Sequence, residues 1–192
     1  MGIVAAALAG LLLLVVALIY NGLIARRNRC ESAFSTIDVM LRKRYDLIPN
    51  LVETVKGYAT HERQTFEEVT RLRAEAASGR LSTEQAVTVN NQITALLGNI
   101  LAVVENYPQL KASANFLHLQ RSLNEVEEQL AAARRAFNAA VMDLNNAVQM
   151  LPSSLVASMA GIGRRSFLDA PPQERVAPRV GPLLAPEPQD KA

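Results

Sequence analysis

Apolar positions follow three successive patterns along this chain. From Ile3 to Ile19 they run without interruption, Tyr20 to Ile24 extend them, and residues 1 to 25 carry no charged side chain. At about 1.5 Å per residue such a run crosses a hydrocarbon core of roughly 30 Å. A cleaved signal peptide would bring a basic leader, a shorter apolar segment and a small-residue cleavage site. Here only Met1-Gly2 precede the run, and Arg26-Arg27 follow it directly. A retained transmembrane signal anchor is predicted over residues 1–25.

The second pattern has helical period. Phe34, Ile37, Leu41, Ile48, Leu51 or Val52, Val55, Ala59, Phe66, Val69 and Leu72 recur at steps of three, four or seven, which predicts one helix from the membrane to about Ala77. Pro49 lies inside it, and a proline lacks the N–H and crowds the preceding turn, so a kink or break is expected near Asp46 to Pro49. Ser78-Gly79 ends the element. Ser82 and Gln85 form a capping-box pair ahead of the stripe Ala86, Val89, Ile93, Leu96, Ile100 and Val103, and this second helix should stop before Pro108.

The third pattern is strictly 3-4-3-4: Phe116, Leu119, Leu123, Val126, Leu130, Ala133, Phe137, Ala140, Leu144, Ala147 and Leu151. A 3.5-residue period implies a left-handed, coiled-coil-like seam. A helix from Ser113 to Leu151 would be about 58 Å long, longer than the second helix can cover, so the remainder must pack on the first helix or on another subunit. Leu155 to Ile162 would add a short fourth helix. The predicted fold is all-α: an N-terminal transmembrane helix followed by an antiparallel three- to four-helix bundle with long coiled-coil-like helices.

Composition sharpens the boundaries. Six of the nine prolines fall after residue 170, in a segment too poor in apolar residues to order itself. The domains expected are therefore the anchor (1–25), the bundle (26–163) and a proline-rich disordered tail (164–192).

Charge gives an orientation. Arg26, Arg27, Arg29, Arg42, Lys43 and Arg44 follow the span closely and none precedes it, which places the amino terminus outside and the bundle in the cytoplasm. Arg26, Arg27 and Arg29 are expected at the lipid head groups. A net charge of +2 without interleaved aromatics argues against a nucleic-acid partner. The single cysteine, Cys30, excludes an internal disulfide and a cysteine-based zinc site. It reads as an ordinary packed thiol. Gly2, Ala6 and Gly10 recur every four residues and form a small-residue face on which two spans can approach.

No reaction is visible. His61-Glu62-Arg63-Gln64-Thr65 starts like a zinc-protease helix but lacks the second histidine, and neither His61 nor His118 has ligand-spaced partners. The acidic groups Glu67-Glu68 and Glu125, Glu127 and Glu128 suit the wet face of amphipathic helices. No enzymatic activity, cofactor or metal is expected.

Longer blocks carry a resemblance. Tyr20-Asn21-Gly22-Leu23, Arg27-Asn28, Ile37-Asp38-Val39, the block from Arg44 to Ala59 (RYDLIPNLVETVKGYA) and His61-Glu62-Arg63 are similar to the bacterial LemA family. So are the segment 104–111 (VENYPQLK), Asn115-Phe116, the segment 133–141 (ARRAFNAAV), Asn145-Asn146 and the segment 151–157 (LPSSLVA). The resemblance implies a single-pass membrane protein of the bacterial inner membrane with a helical-bundle domain and no established enzymatic activity; distant relatives are associated with magnetosome membranes. The block Arg44, Asp46, Pro49, Asn50, Glu53, Lys56 and His61 is its most recognisable part and is expected to form a shared surface or a buried polar network. Two function classes follow. One is a scaffold that self-associates or binds a membrane protein partner; the other is a ligand- or lipid-sensing module with a cavity lined by Asp143, Asn145 and Asn146.

Overall fold

The computed structural model describes residues 1–59, 62–81 and 83–168, the side chains of Thr83 and Glu84 excepted. Ser82, His61 and the residues from 169 onward lie outside it, and with them the predicted capping box and most of the proline-rich segment. The described residues form six α-helices and no strand.

One rod carries the span and the bundle. α1 (Gly2–Lys56) is a single 55-residue helix, about 82 Å long. Its residues 2–18 are exposed on every side, and this stretch is long and apolar enough to cross a membrane. Leu23 is the first buried position. From there the buried side chains Cys30, Ile37, Arg44, Tyr45, Ile48, Leu51 and Val55 mark the inward stripe.

The break expected at Asp46 to Pro49 lies elsewhere. α1 passes through Pro49 and ends at Lys56, and Gly57 and Tyr58 form the turn. α2 (Arg63–Ala77) is thus a separate helix and not the continuation of the first. Proline removes one hydrogen bond from a helix interior, but Ile48, Leu51 and Val55 around it are fully buried, and that packing holds the helix through the defect. The chain yields at Gly57, where a residue of low helix propensity meets the end of the apolar stripe.

α3 (Thr83–Val104), α4 (Pro108–Lys111) and α5 (Ala114–Gln149) follow. Ser113 caps α5 by accepting the Phe116 N–H at 3.2 Å, as serine does at this position. α5 runs antiparallel beside α1, with Arg26 opposite Asp143, Phe34 against Phe137 and Arg44 against Glu127. The predicted apolar seam holds at Phe116, Leu123, Val126, Leu130, Ala133, Phe137 and Leu144; Leu119, Ala140 and Ala147 are only half-buried and Leu151 is exposed, while Val141 and Asn145 are buried in the last turns. Such drift is what a 3.6-residue helix shows against a 3.5-residue repeat. α6 (Ser153–Met159) turns back against both rods with Val156 and Ala157 inward.

Two apolar cores result. The upper one joins the end of α1 to α2, α3, α4 and the start of α5, through Ile48, Leu51, Phe66, Val69, Ile93, Ile100, Leu110 and Phe116. The lower one joins Leu23, Cys30 and Ile37 of α1 to Leu130, Phe137, Val141 and Leu144 of α5, then to α6 and Ile162. Packing continues past residue 163, the expected edge of the bundle, because Leu168 lies against the lower core.

Candidate functional site

Between the two cores lies a polar layer built on Arg44. The guanidinium is 2% exposed, on the inward stripe of α1 where the 4-3-4 spacing from Ile37 through Leu41 to Ile48 calls for an apolar residue. Nη1 donates to Asn90 Oδ1 at 3.1 Å, and Nη2 donates to Thr94 Oγ1 at 2.9 Å. Thr94 in turn donates to the Asn90 carbonyl at 2.9 Å. Nε stands 2.7 Å from Glu127 Oε1, close enough for an ion pair but out of line for a hydrogen bond from its N–H. Burial pulls the Arg44 guanidinium below its ordinary pKa, and Glu127 opposes that pull. One side chain therefore ties α1 to both α3 and α5.

A second polar contact grows directly from Pro49. Without an N–H at 49, the Tyr45 carbonyl has no helical donor. Arg73 of α2 supplies one: its Nε donates to Tyr45 O at 3.2 Å, and its Nη2 lies 3.6 Å from Asp46 Oδ1. The proline that was expected to kink or break α1 leaves the helix continuous and creates a docking point for α2. Burial raises the pKa of the Tyr45 phenol in the same turn, with Arg44 opposing.

The remaining members of the block separate. Asp46, Asn50, Glu53 and Lys56 are exposed and Pro49 is half-buried. Arg44 and the Tyr45–Pro49 turn belong to the interior, while the other four face solvent along the outer side of α1. His61, the last member of the block, lies outside the described residues.

At the membrane end, Arg26 Nε lies 3.3 Å from Asp143 Oδ1 and Arg29 Nη1 lies 3.8 Å from Asp143 Oδ2. Arg27 pairs with Glu31, which also accepts from Arg165 at 2.9 Å. The three arginines expected to serve lipid head groups thus also bind carboxylates of the chain, although all remain partly exposed. Gly2, Ala6 and Gly10 are fully exposed, and a Cβ added at Gly2 or Gly10 would meet nothing. Cys30 is completely buried, and desolvation raises its thiol pKa, which fits a packed residue.

The asparagines do something the spacing did not announce. Asn145 accepts the Arg165 N–H and donates to the Arg165 carbonyl, both at 2.9 Å. Asn138, seven residues earlier on the same face, does the same for Leu168 at 2.9 Å. Two amides thereby hold the segment 162–168 along α5 as one strand would hold another. The Asn145 amide is committed to the Arg165 backbone. Asp143 and Asn146 do border an open groove with Leu18, Gly22, Arg26 and Met150, placed at the membrane end and not inside the bundle. The described residues contain no cluster of three or more histidine, cysteine or carboxylate side chains able to hold a metal.

A family model for the LemA family matches residues 33–181. The chain belongs to the LemA family. The match starts after the apolar span and continues beyond residue 163 into the proline-rich segment. Among curated proteins, Protein LemA of Metamycoplasma hominis is 23% identical over 156 residues, spanning 81% of this chain and 71% of that protein. Magnetosome protein MamQ of Magnetospirillum gryphiswaldense is 22% identical over 178 residues, covering 80% of this chain and 65% of its own length. Magnetosome protein MamQ 2 of Paramagnetospirillum magneticum is 25% identical over 178 residues with the same coverage. This LemA-family chain thus spans about two thirds of the MamQ proteins it matches.

Proposed function

We propose that this LemA-family protein is a non-enzymatic scaffold of the bacterial inner membrane, with its amino terminus outside, its bundle in the cytoplasm and α3 offered to a second copy of the chain. The observation that carries this reading is the state of α3. From Gln85 to Val104 it bears no charged side chain and is apolar enough to cross a membrane, yet only 33% of its apolar window is buried. Ala95, Gly98, Asn99 and Ala102 are exposed along one face, and Val87 is 46% exposed.

Lipid does not account for that face. Asn90 sits level with Arg44, which is 18 residues past Arg26 on α1, or about 27 Å above the head groups. A small, uncharged helix face at that height suits close helix–helix contact with protein. The exposed Gly2, Ala6 and Gly10 supply a second, intramembrane face for the same association. The arginine cluster after the span supports the orientation, and relatives named as magnetosome proteins support a membrane setting.

The test uses the buried Cys30 as a silent background. Ala95→Cys in native membranes should give a dimer-mass species with a short bismaleimide, whereas wild type and the outward Glu53→Cys should not. Monomer alone from Ala95→Cys, with the thiol shown to be reactive, would remove the self-association. Cleavage of the bundle by protease added outside intact cells would reverse the topology. A lipid-sensing role is the second reading, favoured by the groove where the Arg26–Asp143 pair borders apolar walls.

A further inference from the structure

α1 serves as a ruler for depth. Ile19 lies seven residues before Arg26, about 10 Å toward the amino end of the span. Ile19 nevertheless packs on the lower core, and Leu18 and Ile19 share a groove with Met150, Leu151 and Pro152. The corner between α5 and α6 therefore hangs past Arg26, alongside a part of α1 that carries no charged side chain.

What that corner presents outward is equally apolar. Met150 is 63% exposed, Leu151 76%, Leu155 63% and Met159 88%. Leu155 and Met159 stand one helical turn apart on α6, opposite the inward Val156 and Ala157. No charged side chain occurs from residue 144 to residue 163, and Arg164-Arg165 follow at once. A clustered apolar patch of this kind marks an interaction site. Its continuity with the exposed span, its depth below Arg26 and the arginines at its edge identify a lipid surface as the occupant, since an interfacial helix buries its apolar face 5–10 Å into the head-group boundary and keeps basic residues above it.

We propose that the α5–α6 corner is a second membrane contact: Met150, Leu151, Leu155 and Met159 enter the leaflet that α1 leaves at Arg26, and Arg164 lies among the head groups. The bundle then stands on two feet, the span and this corner. The inference rests on α1 being inserted in the bilayer, and the test separates the two.

The chain has no tryptophan, so a single introduced indole reports its own surroundings. Full-length Leu155→Trp and Met159→Trp would be reconstituted in phosphatidylcholine–phosphatidylglycerol vesicles from lipids brominated at both shallow and deep acyl-chain positions, so that an inserted indole is quenched at either depth. Leu12→Trp serves as the span control, and Leu117→Trp, exposed at the far end of α5, as the aqueous control. Leu155→Trp and Met159→Trp should emit to the blue of Leu117→Trp and lose roughly half their intensity to the brominated lipid. Quenching of Leu12→Trp without quenching at 155 or 159 would overturn the second contact while leaving the anchor intact. Blue-shifted but unquenched emission at 155 and 159 would give the patch to a protein partner and overturn it too. An unquenched Leu12→Trp would overturn the anchor and the inference together.

Discussion

Arg44 concentrates the residue-scale energetics, because its charge is almost completely withdrawn from water while its counter-ion is not. Glu127 is 43% exposed against 2% for Arg44. Removing the half-exposed partner strands a buried cation; removing the cation lets Glu127 rehydrate and leaves mainly the Asn90 amide oxygen unpaired. Breaking a buried pair from the wrong side is the costly direction. Glu127→Leu should therefore destabilise the protein by about 2–4 kcal/mol, and Arg44→Met, of similar length and apolar, by about 1–2 kcal/mol. Chemical unfolding of the full chain in detergent, followed by helical circular dichroism, reads both; the reverse order would show that the pair is dominated by hydration of Glu127. Arg44 could be singled out from the chain alone because it interrupts an apolar register. Its partners could not: Asn90, Thr94 and Glu127 sit on other helices, and nothing local to them distinguishes a buried amide or hydroxyl from an exposed one. Asn138 and Asn145 were hidden for the same reason, since their ligand is the backbone of a segment with no regular period.

At the scale of elements, the apolar spacing placed the long helices but ran α1 and α2 together as one and set a break at Pro49 that lies at Gly57 instead. Pro49 is a local signal for a break, whereas the outcome depends on what surrounds it: complete burial of Ile48 and Leu51 and a carbonyl that Arg73 satisfies from another helix. This predicts opposite responses in two places. Pro49→Ala should raise global stability by about 1–3 kcal/mol by restoring the helical N–H and removing the ring clash. The new N–H would take the Tyr45 carbonyl away from Arg73, so amide exchange in α2 should accelerate, by roughly tenfold for the loss of about one hydrogen bond to a charged donor. Arg73→Ala in the native background should loosen α2 equally without the global gain. If exchange in α2 is unchanged in both variants, the carbonyl contact does not hold that helix.

Across the whole molecule, two cores share the same pair of rods and meet at the Arg44 layer, with Leu41 the side chain that packs on both. A polar layer is less cohesive than apolar packing once water can reach it, so the lower core should open without the upper one. Cys30 reports this opening directly. It is fully buried in the lower core, and its thiol pKa is raised by desolvation; alkylation requires the thiolate, so in the closed state it is blocked twice over. Labelling by iodoacetamide should then proceed through local opening, and its rate should rise with whatever weakens that region. Leu130→Ala empties a fully buried position in the lower core and should cost about 2–5 kcal/mol there. Asn145→Ala releases Arg165 from α5 at about 1–2 kcal/mol. Both should speed labelling, the leucine variant more. Ile93→Ala makes a comparable hole in the upper core and, below its own unfolding transition, should leave the Cys30 rate unchanged. Equal acceleration by Leu130→Ala and Ile93→Ala would mean that the rods transmit the loss and the chain opens as one unit. Independent opening, by contrast, would let the membrane-side half breathe while the upper four helices keep α3 in place.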